Sequence, residues 1–211
     1  MAPKKHLIFA LAICIVLGGI IFQAQAVEGE SENRLAVAGK LELDYHAEFM
    51  VTRDDSGTAL NWNNCGLLLG GFGDFGFDGP RDLYPKFEKD LSGSPAVVFS
   101  GKNRFRQGPD PAPESICDAS FSLELWAQNA DGKDGKMIAW GGLTVTPADF
   151  SVGNDKAWHH LALIAKDGAA DYYLDGTKVK SGPLPKMSPD KMIVGENFSG
   201  AIAAIPSITR R

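Results

Sequence analysis

Three acidic side chains on one short segment offer the first candidate chemistry: Glu42, Asp44 and Glu48, with His46 among them. In an extended strand, residues two apart point to the same side, so all four would share a face. Facing carboxylates are what glycoside hydrolysis needs, one as acid and one as nucleophile or base. The same pattern also suits the solvated polar face of an edge strand. No aromatic cleft residues follow it, which favours the solvated face. His159 and His160 raise the question of acid–base or metal work. Adjacent strand residues point to opposite faces, so both cannot ligate one metal. No H-x-H or clustered Cys/His spacing supports zinc. The expectation is therefore structural: one imidazole bonded inside the fold, the other at its surface.

A second grouping is aromatic. Glu124 and Trp126 alternate against Phe121, Leu123 and Leu125. Trp158 and His160 share a face, as do Asp171, Tyr173 and Asp175. If these three segments are neighbouring strands, Trp126, Trp158 and Tyr173 form a platform flanked by Glu124 and His160. Such a surface suits a sugar, whose C–H face packs on a ring while polar rims bond its hydroxyls. The alternative is that both faces are covered and Glu124 simply bonds His160. Calcium is the cofactor question. Asp131 and Asp134, in Asn129–Gly135 (NADGKDG), and the Asn154-Asp155 pair supply hard oxygen donors. Calcium takes 6–8 oxygens, and neither loop provides that many alone. A solvated turn of good turn-formers is the competing reading.

Such residues need elements to hold them. The chain has 211 residues, 44% hydrophobic and 22% charged, with 24 glycines and 12 prolines. That hydrophobic share excludes a disordered chain. The net charge of −5 argues against a nucleic-acid binder, which carries a basic stripe. Lys4 and Lys5 precede an apolar or glycine run from Leu7 to Phe22, and Ala24-Gln25-Ala26 follows. This is the layout of a secretory signal peptide over 1–26. Sixteen helical residues span roughly 24 Å, short of a ~30 Å hydrocarbon core. The mature chain is then 185 residues with charge −7, since only Lys4 and Lys5 among the charged residues are lost. It is long enough for one full core. Two cysteines remain, Cys65 and Cys117, both in loop-like settings. In an oxidising compartment they are a disulfide candidate. The bridge would close a loop of about 53 residues and stabilise by roughly 4 kcal/mol. Two unpaired thiols are the alternative.

Residues 27–40 are small and polar and read as a flexible lead. Beyond them, short segments alternate with turn formers. Strands are expected near 41–47, 97–99, 121–126, 137–140, 158–165, 172–174, 178–180, 192–194 and 200–205. Asp175-Gly176 is the clearest hairpin turn. No run of ten residues has helical spacing after residue 26. The stretch Leu67–Pro80 (LLLGGFGDFGFDGP) lacks the strand–turn–helix setting of a phosphate loop and reads as a long irregular loop. The pattern predicts an all-β fold, an antiparallel two-sheet β-sandwich of jelly-roll type.

Four segments, in order, resemble the laminin G-like branch of the concanavalin A-like lectin/glucanase superfamily. They are Ala119–Trp126 (ASFSLELW), Trp158–Leu163 (WHHLAL), Tyr173–Thr177 (YLDGT) and Phe198–Ile202 (FSGAI). Trp62–Gly66 (WNNCG) and Ala96–Gly101 (AVVFSG) are similar to early segments of a bacterial subset. The resemblance covers roughly 41–205 and implies a concanavalin A-like sandwich. Glucan hydrolases of that fold space their carboxylates Glu, Asp two on, then Glu two or three further. Here the last step, Asp44 to Glu48, is four. Many relatives hold calcium at the loop rim. Pro206 after Ile205 shortens the last strand or begins a divergent tail, 206–211, because proline cannot donate to a ladder.

The expectation is a secreted or periplasmic, non-catalytic module binding a glycan or an extracytoplasmic protein. Nucleic acid and membrane insertion of the mature domain are not expected. A glycan hydrolase and a structural or assembly module are the alternatives.

Overall fold

The computed structural model describes residues 40–66, 74–76, 79–108 and 120–210. The expected signal segment, most of the lead, and Cys117 lie outside them. All described residues belong to the unit that begins at Val37. Fifteen strands form among them: β1 (Lys40–His46), β2 (Val51–Arg53), β3 (Ala59–Trp62), β4 (Phe75–Gly76), β5 (Lys86–Leu91), β6 (Ser94–Ser100), β7 (Phe105–Gln107) and β8 (Ser120–Asn129). The rest are β9 (Lys136–Trp140), β10 (Leu143–Val145), β11 (His159–Lys166), β12 (Ala169–Leu174), β13 (Thr177–Pro183), β14 (Ile193–Glu196) and β15 (Ser199–Arg210). The helical content among the described residues is one four-residue turn, α1 (Ala47–Met50), and two 3-10 turns at Arg81–Leu83 and Pro147–Phe150.

The strands build two antiparallel sheets. Sheet A runs β13-β12-β11-β8-β15-β6-β5, with β1 paired to β15 beside that path. Sheet B runs β10-β9-β14-β7-β4-β3-β2. This is the two-sheet sandwich that the alternating pattern predicts. Phe121, Leu123 and Leu125 on β8 are almost fully buried, as are Leu161 and Leu163 on β11, and these faces look into the core. Aromatic pairs stitch the sheets together. Tyr45 of sheet A meets Trp62 and Phe75 of sheet B, with ring centroids 5.8 and 4.6 Å away. Phe99 meets Phe105 at 6.2 Å, and Phe121 meets Trp140 at 6.2 Å. Such pairs add to the area they bury. Burial pushes the Tyr45 phenol far above its ordinary pKa.

Two elements differ from the sequence reading. The glycine-rich stretch expected as an irregular loop contributes β4, which bridges β3 and β7 in the middle of sheet B. Phe75 drops into the core at 1% exposure while Gly76 stays on the surface side. Two residues are too short for an alternating signal, so periodicity missed them. The last strand does not stop at Ile205. β15 continues through Pro206 to Arg210, paired with β1 and with β8. In an antiparallel ladder a residue directs its N–H and C=O to one neighbour only. Pro206 therefore removes one bond on one side, and the remaining ladder carries the strand past it.

A close approach fixes one glycine. Gly195 has φ +83, and a Cβ there would overlap the ring of Phe99. Glycine alone adopts this conformation without a side chain in the way.

Candidate functional site

The outer face of sheet A carries Glu124, Trp126, His160 and Tyr173. In the register, His46 of β1 lies opposite Ala204 of β15, Ala204 opposite Trp126 of β8, and Trp126 opposite His160 of β11. The four form one row across four strands, about 14 Å at the usual strand spacing. The next row runs from Asp44 to Pro206, past Glu124, to Ala162 and Tyr173. Leu43 and Tyr45, between these positions on β1, are buried in the core. The alternation of β1 therefore places Asp44 and His46 outward.

The residues come together as follows. Glu124 Oε2 and His160 Nε2 are 3.0 Å apart, and the Trp126 and His160 rings are 6.1 Å apart. Trp126 is 38% exposed, the largest exposed aromatic on this face. Tyr173 shares the face but is two strands from Glu124, with the small Ala162 between them. Trp158 does not join the platform. Its indole N–H donates to the Leu91 carbonyl at the end of β5 (3.0 Å). Three strands, β8, β15 and β6, separate β11 from β5 in the sheet. That is about 19 Å of flat sheet, further than an indole reaches, so the β5–β6 hairpin folds over this end of the outer face. Ala96 and Ala201 there are essentially inaccessible, and Gln128 is buried. Gln128 is held by the Lys156 carbonyl (2.5 Å).

The second imidazole has a different role from the expected core one. His159 sits outside the core, between two carboxylates: Nδ1 lies 2.8 Å from Asp175 Oδ2 and Nε2 lies 3.0 Å from Asp155 Oδ2. Asp175 also accepts the backbone N–H of His160 (2.9 Å). This clamp ties the loop before β11 to the β12–β13 turn. Burial alone would lower the His159 pKa, but the hydrogen bonds from Asp175 and Asp155 outweigh it and raise it. His159 in turn holds the Asp175 carboxyl below its usual range. At the far edge, His46 Nε2 contacts Asp44 Oδ1 at 2.8 Å, and that hydrogen bond raises the His46 pKa.

The row Glu42, Asp44, Glu48 does not form as a three-carboxylate face. β1 ends at His46, and Glu48 lies in α1. A bulge also shifts the register between Leu41 and Leu43. The calcium candidates point to separate tasks. Asp131 accepts the Lys133 backbone N–H (3.0 Å) and faces its ammonium at 3.3 Å. Asp134 accepts the Ala148 N–H at 3.4 Å. Among the described residues, no group of three His, Cys, Asp or Glu side chains is arranged to hold a metal. Cys65 Sγ donates to the Asp44 carbonyl (3.0 Å), while Cys117, its candidate partner, lies outside the described residues.

Ala204 and Pro206 were not singled out in the sequence, and Asp44 and His46 were considered there only with Glu42 and Glu48, not beside Trp126. The β1–β15 pairing joins residues about 160 positions apart, and no local pattern announces it. Among the described residues no helix is long and apolar enough to cross a membrane.

No protein-family profile matches the chain, and no curated protein matches it. Solved structures do. The fourth domain of an extracellular family-43 arabinanase from Geobacillus stearothermophilus, in complex with arabinotriose, superposes with a TM-score of 0.55 at 18% identity. The match covers 81% of this chain and 93% of that domain. This likeness establishes the shared sandwich fold. The botulinum neurotoxin serotype D binding domain gives a TM-score of 0.49 at 9% identity. It covers 82% of this chain and 49% of that one, so this chain spans about half of its length.

Proposed function

We propose that the protein is an exported, non-catalytic module that binds a carbohydrate on the outer face of sheet A, and that it belongs with the laminin G-like sandwiches it resembles. The observation that carries the reading is Trp126. A large aromatic stands 38% exposed beside the Glu124–His160 pair, with the small side chains of Ala204 and Ala162 on either flank. Its ring can take the C–H face of a sugar, and the carboxylate–imidazole pair can bond the hydroxyls. Asp44 and His46 form a second polar pair at the other end of the row, about two strand spacings away. Small residues between them leave a low floor. The same fold holds arabinotriose in the arabinanase domain, which makes arabino-oligosaccharides a first probe.

The test is a glycan array read with the wild type and Trp126→Ala, with and without a calcium chelator. A neutral oligosaccharide bound by the wild type and lost in Trp126→Ala supports the reading. Binding retained in Trp126→Ala places the site elsewhere and overturns it. Absence of all glycan binding overturns it in favour of an extracytoplasmic protein partner. Release of reducing ends from a bound glycan overturns the non-catalytic part. Loss on chelation would show that binding requires a metal, and a matching loss in Asp131→Ala would place it at the Asp131–Asp134 loop.

A further inference from the structure

The outer face of sheet B carries charge of the opposite kind. One register row crosses all the strands of that sheet from β10 to β2: Thr144, Ala139, Ile193, Arg106, Gly76, Asn61 and Thr52. None of the seven is buried, so the row is a continuous outer surface. Its floor is low at Ala139 and Gly76. A hollow of about 690 Å³ lies over its β10–β7 end, within the range of small-molecule and oligosaccharide sites.

Cations gather round this hollow. Arg106, Lys136 and Lys191 line it, against Glu196 and Asp190. Glu196 is already engaged: Lys136 Nζ bonds it at 2.7 Å, and Arg104 Nη1 stands 3.6 Å away. Glu196 also lines an adjoining hollow of about 390 Å³, which Lys102 and Arg104 share. Among the described residues, five basic side chains line the two hollows against two acidic ones, on a chain whose net charge is −5. A local field opposed to the overall charge selects for an anion at that place. One buried donor for which no acceptor is seen borders the adjoining hollow: Arg104 Nε.

We infer that this groove is a second binding site, for an acidic polysaccharide whose carboxylates meet Arg106, Lys136 and Lys191 while its rings lie on Ala139 and Ile193. The lysine and arginine side chains that line the hollow supply the positive charge that a carboxylate meets. The exposed Thr144 and Asn61 side chains, further along the row, supply hydroxyl and amide partners for sugar hydroxyls. A single-stranded nucleic acid fits poorly, because the register row offers no aromatic side chain on which a base could stack. This site goes beyond the Trp126 reading and stands independently of it.

The experiment uses the full chain and polygalacturonate, with fully methyl-esterified polygalacturonate and polyglutamate alongside. Binding is measured by isothermal calorimetry at 20 mM and 200 mM salt. Polygalacturonate is expected to bind, to lose affinity about tenfold or more at the higher salt, and to bind at least tenfold less tightly to Arg106→Glu/Lys191→Glu. Arg106→Gln/Lys191→Gln, which only removes charge, should show an intermediate loss with an unchanged melting temperature. Trp126→Ala should bind polygalacturonate like the wild type. The inference is overturned if polygalacturonate does not bind, if both charge variants bind it like the wild type, or if the neutral ester binds equally well. Polyglutamate binding as tightly overturns the sugar in favour of an acidic peptide. Loss of polygalacturonate binding in Trp126→Ala overturns the separate site and leaves the first one standing.

Discussion

Gly195 and Gly176 form a matched pair that isolates the packing of the sandwich from the strain of its turns. Their φ angles are +83 and +81, so alanine at either position pays the same left-handed penalty, about 1–2 kcal/mol. Their surroundings differ. At Gly176, in the two-residue Asp175-Gly176 hairpin, an added Cβ meets nothing within 4 Å. At Gly195 it would overlap the Phe99 ring. Phe99 has little room to withdraw: it is 2% exposed, and its ring lies 6.2 Å from Phe105 and 6.1 Å from Phe198. Overpacking of a close-packed core costs about 1–3 kcal/mol more. Gly176→Ala should therefore lose about 1–2 kcal/mol and Gly195→Ala about 2–5 kcal/mol in all. Urea unfolding followed by tryptophan fluorescence measures both, with an unchanged slope as the sign that only stability moved. If Gly195→Ala unfolds at the same urea concentration as Gly176→Ala, the Phe99 cluster yields freely and the rigid stitching between the sheets is refuted.

Two further outcomes follow from the polar contacts. Asn64, 8% exposed, accepts the backbone N–H of Asp44 (2.7 Å) and of Gly66 (2.9 Å) through one oxygen; Asn64→Ala leaves two donors unpaired and should cost about 2–4 kcal/mol in a urea titration, with a loss under about 1 kcal/mol counting against it. The His159 clamp should be strongest at mildly acidic pH. A histidine with a raised folded pKa stabilises fully below its ordinary value of about 6.5 and loses that contribution as pH rises through the raised value. Asp155 and Asp175, held low, contribute above the usual carboxylate range and lose it as pH falls. NMR titration of the His159 ring should give a midpoint above 6.5 that drops in Asp175→Asn; a midpoint unmoved by that change refutes the clamp.

How much of this was legible in the sequence depended on the range of the interaction. β8 was readable from its alternation, β11 from its apolar run and β12 from the Asp175-Gly176 turn that follows it, and the pairing of β8 with β11 sets Glu124 and Trp126 beside His160. Trp158 was misplaced because its partner, the Leu91 carbonyl, is a backbone group 67 positions away, and backbone groups leave no mark in a side-chain pattern. One of the two adjacent histidines was expected inside the fold because they alternate on a strand that read as covered on both sides, yet His159 lies between carboxylates outside the core and His160 on the outer face. The carboxylate neighbours of His159 come from two turns, Asp155 and Asp175, whose closeness only the fold reveals. Sheet B was the harder half. β2, β4, β7 and β10 are two or three residues long, too short for period-2 alternation to declare itself, so neither the sheet's outer row nor its cations could be assembled beforehand.

The division of charge between the faces follows from that topology. The sequence is acidic on average, and an average says nothing about where cations collect. Arg106, Lys136 and Lys191 lie as far as 85 residues apart in the chain, yet β7, β9 and the segment leading into β14 bring them to one hollow. On sheet A the carboxylates of the row next to Trp126, Asp44 and Glu124, are each hydrogen-bonded to an imidazole, while Asp171, farther out on β12, pairs with Lys178. Around Trp126 the carboxylates of Glu124 and Asp44 set the sign of the field, so that face disfavours an anion and suits an uncharged ring. With both proposed sites occupied, one sandwich engages a neutral and an acidic glycan at once. The prediction peculiar to this arrangement is additivity: a doubly substituted Trp126→Ala, Arg106→Gln chain should lose each ligand by the same factor as the single variant, since the sites sit on opposite sheets with the core between them.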